Sequence, residues 1–217
     1  MKSRIIWILT LPLLVINCTT DKPLNNEAVR KEIASRELKR ITEAEIISKA
    51  HDIGSSIAGS TKKTLGKNLQ QAIMNGGVKN AISFCNLNAM PLVDSLSRRF
   101  DAKIRRVSLK PRNPEDAPTE LEKKILEAYD YQWQDSLELK ANVQSIGEGR
   151  YLFTKPILID NGLCLSCHGS AVNGMSQQTY EFIQSKYPQD QAIGYAMGDL
   201  RGMWSIEIPK KTIIQSF

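Results

Sequence analysis

The first clear pattern along the chain is an apolar run from Ile5 to Ile16, placed behind Lys2 and Arg4. It is shorter than the about 20 residues a membrane-spanning helix needs and has the form of a signal-peptide core. From Glu27 to about Met74 helix formers dominate, with Ile33, Ile41, Ile47 and Ile57 at a weak period and Gly54, Gly59 and Gly66 between them. That pattern predicts one long helix or two broken ones. Gly76-Gly77 ends the stretch. Val78, Ala81, Ile82, Cys85, Ala89, Leu92, Val93 and Leu96 then recur at i, i+3, i+4, which predicts a helix with Cys85 on its inward face.

Asp101 to Lys110 reads as a strand, and Pro111-Arg112-Asn113-Pro114 with Pro118 as a rigid loop, because a residue before proline avoids the helical region. Thr119 and Glu122 have capping-box spacing, so a helix is expected there with Leu121, Ile125, Tyr129 and Trp133 as its buried face. Gly147-Glu148-Gly149 predicts a turn into a strand from Tyr151 to Ile159. A helical stretch is expected around Gln177 to Tyr187. Two short strands, Gly194 to Met197 and Met203 to Ile208, should follow, joined by a turn at Asp199-Leu200-Arg201-Gly202. Helices first and antiparallel strands later define an α+β class, and no internal repeat is visible.

At 217 residues the chain has room for one domain with an export segment and a tether. The expected division is a leader over 1–17, a tether over 18–26 containing Pro23, and a domain over 27–217. Val15-Ile16-Asn17-Cys18 resembles a lipobox, with Cys18 the lipidated residue, although Asn17 stands where a small residue is usual. An ordinary signal peptide or an uncleaved anchor with an incidental Cys18 is the alternative. Each version predicts export to the periplasm or cell envelope, and the lipobox adds a membrane anchor. The net charge of +6 lies partly in the leader, so nucleic acid is not an expected partner and small acidic groups are better ones.

Four cysteines could suggest disulfides, but Cys164 and Cys167 fall in Cys164-Leu165-Ser166-Cys167-His168, Cys18 in the lipobox, and Cys85 stands alone. Two thiols three positions apart can each add to a vinyl group of one haem, and the next imidazole then falls under the iron as His168. A thioredoxin-like thiol pair lacks its usual strand–helix context here, and a zinc site lacks its second ligand pair. One covalent haem c is therefore the expected cofactor. For a second axial ligand the residues leave Cys85, His51, Met74, Met90, Met175, Met197 and Met203 open.

Four motifs then occur in one order: Gly76-Gly77 with Ala81-Ile82 and Cys85; Ile104-Arg105-Arg106-Val107-Ser108-Leu109-Lys110-Pro111-Arg112-Asn113-Pro114 with Ala117-Pro118; Cys164-Leu165 with Cys167-His168-Gly169; and Gly198-Asp199-Leu200-Arg201-Gly202. From about residue 45 to about 208 the chain resembles the PAS-like c-type haem domain long catalogued as a domain of unknown function. The resemblance implies an antiparallel sheet and flanking helices enclosing the haem, with a cysteine as distal ligand, the role that maps onto Cys85. Met203-Trp204 depart from the family's smaller residues.

Haem propionates call for cationic partners, and Arg105, Arg106, Lys110, Arg112 and Arg201 are the candidates. Arg105 and Arg106 cannot both face the haem if they lie on a strand. Histidine and thiolate together would stabilise ferric iron, and reduction would weaken the iron–thiolate bond and open a place for a diatomic gas. The expected role is a redox or gas sensor acting through a signalling partner. A low-potential electron carrier with a redox partner protein is the alternative. A peroxidase-like enzyme is third, because only His51 is left as its general acid or base.

Overall fold

The computed structural model describes residues 41–217, together with residues 27 and 29–32. The latter belong to a separate unit, Met1–Arg40, and are helical. The expected leader, tether and Cys18 lie outside the described residues. The compact unit runs from Ile41 to Phe217. Among the described residues no helix is long and apolar enough to cross a membrane.

Helix α1, Glu43–Phe100, opens with a capping box: Thr42 Oγ1 accepts from the Glu45 amide, and the Glu45 carboxylate accepts from the Thr42 amide at 2.8 Å. It runs without interruption through Gly54, Gly59 and Gly66, because helix stability here comes from packing on the sheet more than from propensity. It does break at the glycine pair. Gly77 takes φ 69°, ψ −168°, which no L side chain adopts comfortably, and Asn80 Nδ2 donates back across the break to the Ala72 carbonyl at 2.8 Å. Two arms result, 43–75 and 78–100. On the second arm the predicted stripe holds: Ala81, Ile82, Ala89, Val93 and Leu96 are buried, and Cys85 is partly so.

Strands β1 (Lys103–Val107), β2 (Asn142–Gly147), β3 (Arg150–Leu158) and β4 (Leu200–Pro209) form an antiparallel sheet in the order β1-β4-β3-β2. Ile104, Ile206 and Phe153 share a register row, as do Arg105, Ser205 and Thr154 in the row beside it. Alternation sends these rows to opposite faces. Both arms of α1 cover the first face through Ile46, Ala50, Ile57, Ala58, Val93 and Leu96, which pack with Phe153, Trp204, Ile206 and Ile208. Helix α2, Glu120–Gln134, covers the second with Leu126 and Tyr129 against Val107 and Met203. This is the α+β architecture expected.

Several expectations need correction. The capping box at Thr119 and Glu122 is present, but α2 buries Glu122, Leu126 and Tyr129, while Leu121 and Trp133 are exposed. Glu122 is buried because it meets cationic and hydroxyl partners, which no apolar periodicity can reveal. The segment 194–197 is not a strand, and residues 200–202 belong to β4 instead of a turn. The turn sits at Met197-Gly198, where Gly198 has a positive φ. The strand expected over Asp101 to Lys110 shortens to β1, since Asp101 closes α1 in the left-handed region and Ser108 turns away to the Pro-rich loop. Strand β2 had no prior signal beyond the turn that follows it.

Three short α-helices and a 3-10 turn at Pro114–Asp116 complete the unit, the helices being α3, Gly162–His168; α4, Gln177–Lys186, over the predicted helical stretch; and α5, Lys210–Ile214.

Candidate haem-binding site

Helix α3 carries the Cys-x-x-Cys-His motif. Asn161 Oδ1 accepts from the Leu163 amide at its start, and the Gly169 amide donates to the Leu165 carbonyl at its end. A side chain at Gly169 would meet the Asn173 carbonyl oxygen at 2.2 Å, so the chain can turn here only with glycine. Spacing of i, i+3 puts Cys164 and Cys167 on one side of the helix. Cys164 packs with Ile159, Ala192 and Tyr195, and Cys167 with Ile82, Met175, Ile183 and Tyr187. The second cluster joins α3 and α4 to the second arm of α1, where Cys85 lies one turn beyond Ile82. Cys85, Cys164 and Cys167 are all free thiols.

The loop before β4 forms a wall beside His168. The Tyr195 amide donates to the His168 carbonyl and the Gly194 amide to the Gly169 carbonyl, each at 2.9 Å. His168 Nδ1 lies 2.8 Å from the Ala192 carbonyl oxygen and 3.4 Å from Arg201 Nε. A carbonyl only accepts and a guanidinium only donates, so both contacts cannot be hydrogen bonds to one nitrogen. The shorter one decides: Nδ1 carries the proton and gives it to Ala192, which leaves the lone pair on Nε2. That is the tautomer an iron-binding imidazole needs, fixed by its outer partner. Burial, aided by the charges of Arg201 and Arg112 and opposed by the Ala192 bond, holds the His168 pKa well below the ordinary value, so the ring is neutral.

Four of the five candidate cations gather here. Arg201 donates to Ser108 Oγ at 2.8 Å and to the Lys110 carbonyl at 3.3 Å, and its guanidinium stacks 5.5 Å from the Tyr195 ring. It has no carboxylate partner among the described residues, and burial pulls its pKa down. Lys110 approaches the same ring at 5.9 Å. Arg112 is ion-paired to the fully buried Asp190 at 3.2 Å and donates to the carbonyls of Cys167 (2.5 Å) and Ala192 (3.0 Å). The side chain of Arg106, half-buried in the row of Trp204, has no hydrogen bond or ion pair among the described residues. Its charge lowers the pKa of both Cys85 and Asp116, although burial raises each on balance. Arg105 is directed to the other face, where it pairs with Glu122 and donates to the carbonyls of Glu115 and Ala117.

Among the other ligand candidates, His51 packs edge-on to Phe153 in the first-face core and beside Asp52, contacts that share no residue with the cluster around His168. Met203 faces α2, and Met74 and Met197 are exposed. Met175 sits in the Cys167 cluster, and Met90 lines a cavity of about 20 Å³ beside Arg106. Asp190, Ala192, Tyr187 and Tyr195 also belong to this site and had no sequence signal. Ala192 acts through its carbonyl, which its residue type does not encode.

This chemistry separates the three readings of the motif. Burial pushes Cys167 up to about 11, partly offset by Arg112 and reinforced by Cys85 and Cys164, whereas a reactive redox thiol needs a lowered value. Among the described residues no group of three or more His, Cys, Asp or Glu is placed to hold a metal ion. A haem brings its iron already held by four nitrogens and asks the protein only for axial ligands. The residues therefore fit a haem: two thiols at vinyl spacing, one imidazole with Nε2 free, and cations lacking anionic partners.

An antiparallel sheet covered by helices on both faces, with a Cys-x-x-Cys-His helix beside it, defines the class. The family model described as Tll0287-like matches residues 22–209, and the chain belongs to that family. A solved structure, the crystal structure of the cyanobacterial heme-protein Tll0287, is 29% identical over 68% of this chain and 91% of its own, with a TM-score of 0.48. No curated protein matches the chain.

Proposed function

We propose that this protein carries one covalent haem c, bound through Cys164 and Cys167 with His168 and Cys85 as axial ligands, and acts as a redox or gas sensor through a signalling partner. The observation that carries the haem is the His168 imidazole, locked by Ala192 into the tautomer with Nε2 free and set at the end of the two-thiol helix. Similarity to Tll0287, a heme-protein, supports the same cofactor. Cys85 is the proposed distal ligand because it shares the Ile82–Tyr187 neighbourhood of Cys167 and the fields of Arg106 and Arg112. Arg106, Lys110 and Arg201, the candidate cations without a carboxylate ion pair among the described residues, are the proposed propionate contacts.

When bound, the haem supplies a one-electron couple whose ferric form a thiolate stabilises. This chain's own part is to hold the imidazole neutral and oriented and to keep Cys85 in an apolar setting, where an unligated sulfur stays a neutral thiol. Loss of that ligand on reduction is the proposed signal. Export and lipid anchoring through Cys18, with a leader over 1–17, a tether over 18–26 and a place in the periplasm or envelope, complete the proposal. A low-potential electron carrier is the second reading, favoured by exposed Leu163 (42%) and Val172 (90%) flanking the motif, an apolar rim of the kind redox partners dock on. No observation favours a peroxidase, since His51 packs elsewhere.

The test is a pyridine haemochrome spectrum of protein matured in a periplasm, with Cys85→Ala alongside. A covalent haem c signal in both is expected, with ferric thiolate bands lost only in the variant. Carbon monoxide binding by the reduced wild type favours the sensor. Retention of both ligands on reduction favours the carrier, and absence of covalent haem overturns the proposal.

A further inference from the structure

The Ala192 carbonyl that fixes His168 accepts a second donor. Arg112 Nη2 reaches it at 3.0 Å and also reaches the Cys167 carbonyl, so one guanidinium touches both residues that flank the imidazole's anchorage. Behind it stands Asp190, whose Oδ1 accepts from Arg112 Nε and from the Ala192 amide, at 3.2 and 2.8 Å. Its other oxygen, Oδ2, is buried without a partner. The Asp190 charge therefore serves Arg112 and the loop alone, and Nε and Nη2 of Arg112 are committed to acceptors within the protein.

Position and charge make different demands on this arrangement. The 192–195 segment is already zipped to 168–169 by the Tyr195 and Gly194 amides, so the Ala192 carbonyl keeps its place without Arg112. What Arg112 changes is electronic. A cation bonded to the carbonyl withdraws density from the oxygen that receives the Nδ1 proton, weakens that bond and leaves the imidazole a poorer electron donor through Nε2. The cation also opposes a further positive charge on the iron side of the ring.

We infer that the Arg112–Asp190 pair acts on His168 through the charge it places on the Ala192 carbonyl and so sets the reduction potential of the haem, Arg112 raising it and Asp190 lowering it. The inference rests on the haem reading above. It gives Arg112 a role distinct from a propionate contact.

The experiment compares holo wild type, Arg112→Gln and Asp190→Asn by spectroelectrochemical titration and by low-spin ferric EPR, with the haemochrome of each denatured protein as the measure of attachment. Both variants should attach haem like the wild type. Arg112→Gln should shift the midpoint downward and Asp190→Asn upward, with Arg112→Lys, which keeps charge but loses the fork, between Arg112→Gln and wild type. Structural loosening would move both variants the same way, so shifts of one sign, or no shift, overturn the inference while the haem reading stands. A wild type without covalent haem overturns both.

Discussion

Arg105 and Arg106 are neighbours on β1, yet the two faces of the sheet treat them differently. On the α2 face Arg105 meets Glu122, whose carboxylate also accepts from Ser205 Oγ at 2.7 Å and from the Thr119 amide at 2.8 Å. Arg105 and Glu122 there satisfy each other within the protein. On the other face Arg106 and Arg201 make no ion pair among the described residues and have only the field of Asp116 nearby, Arg201 bonding instead to a hydroxyl and a carbonyl. The difference separates structural charge from charge held for something else: desolvating a cation costs free energy, and a fold that leaves it uncompensated retains an affinity for anions.

The largest effect is expected on the satisfied face. Removing Glu122 takes the acceptor from Ser205 and leaves the partly buried Arg105 with only the carbonyls of Glu115 and Ala117, so the loss should fall toward the lower end of the about 3–5 kcal/mol that breaking a buried pair from one side costs. Glu122→Ala should lower the urea midpoint accordingly with an unchanged slope, measured on protein before haem attachment. A loss below about 1 kcal/mol would erase the contrast between the faces.

The same carboxylate should mark the acid limb of stability. Burial alone would raise its pKa, but the bonds from Ser205 and Thr119 and the charge of Arg105 outweigh burial and leave it below the ordinary value. A lowered folded pKa contributes stability that is fully present above the unfolded value, about 4.3, and is lost as pH falls through the folded one. Glu122→Gln should flatten this decline below about pH 4.3, read from urea midpoints at a series of pH values. An unchanged acid limb would mean that another carboxylate governs it.

A smaller effect is expected at the cap. Thr119 Oγ1 accepts from the Glu122 amide, and replacing such a cap by alanine costs about 1 kcal/mol. Thr119→Ala should show that loss by urea denaturation, and it should be non-additive with Glu122→Ala because the two side chains share one network. Full additivity would place the cap outside the network that holds Arg105.

These elements also differ in how far they could be read from the sequence. The cap at Thr119 and the inward stripe through Cys85 depend on local spacing, and both were legible. The opposition of Arg105 and Arg106 followed from strand alternation alone. Buried Glu122 was not legible, since a carboxylate at an apolar position of a helix becomes sensible only once Arg105 and Ser205 arrive from two strands of the sheet. Nor was the wall around His168, where Ala192 contributes a carbonyl and Asp190 reaches back to Arg112 across the fold. Local pattern finds the motif, while the groups that tune it come from distant segments and act through backbone atoms.

The smallest expected effect sharpens the comparison most. Arg106 has no bond to lose among the described residues, so Arg106→Gln should change the stability of the haem-free protein by no more than about 0.5 kcal/mol, as for an ordinary surface substitution. If Arg106 is held for a propionate, the same substitution should lower the thermal midpoint of the haem-loaded protein relative to wild type, because an anion bound there stabilises only the folded state. Scanning calorimetry on both forms measures the two together. A loss of equal size in both would show that Arg106 is structural after all, and that the unpaired face is no more a binding surface than the paired one.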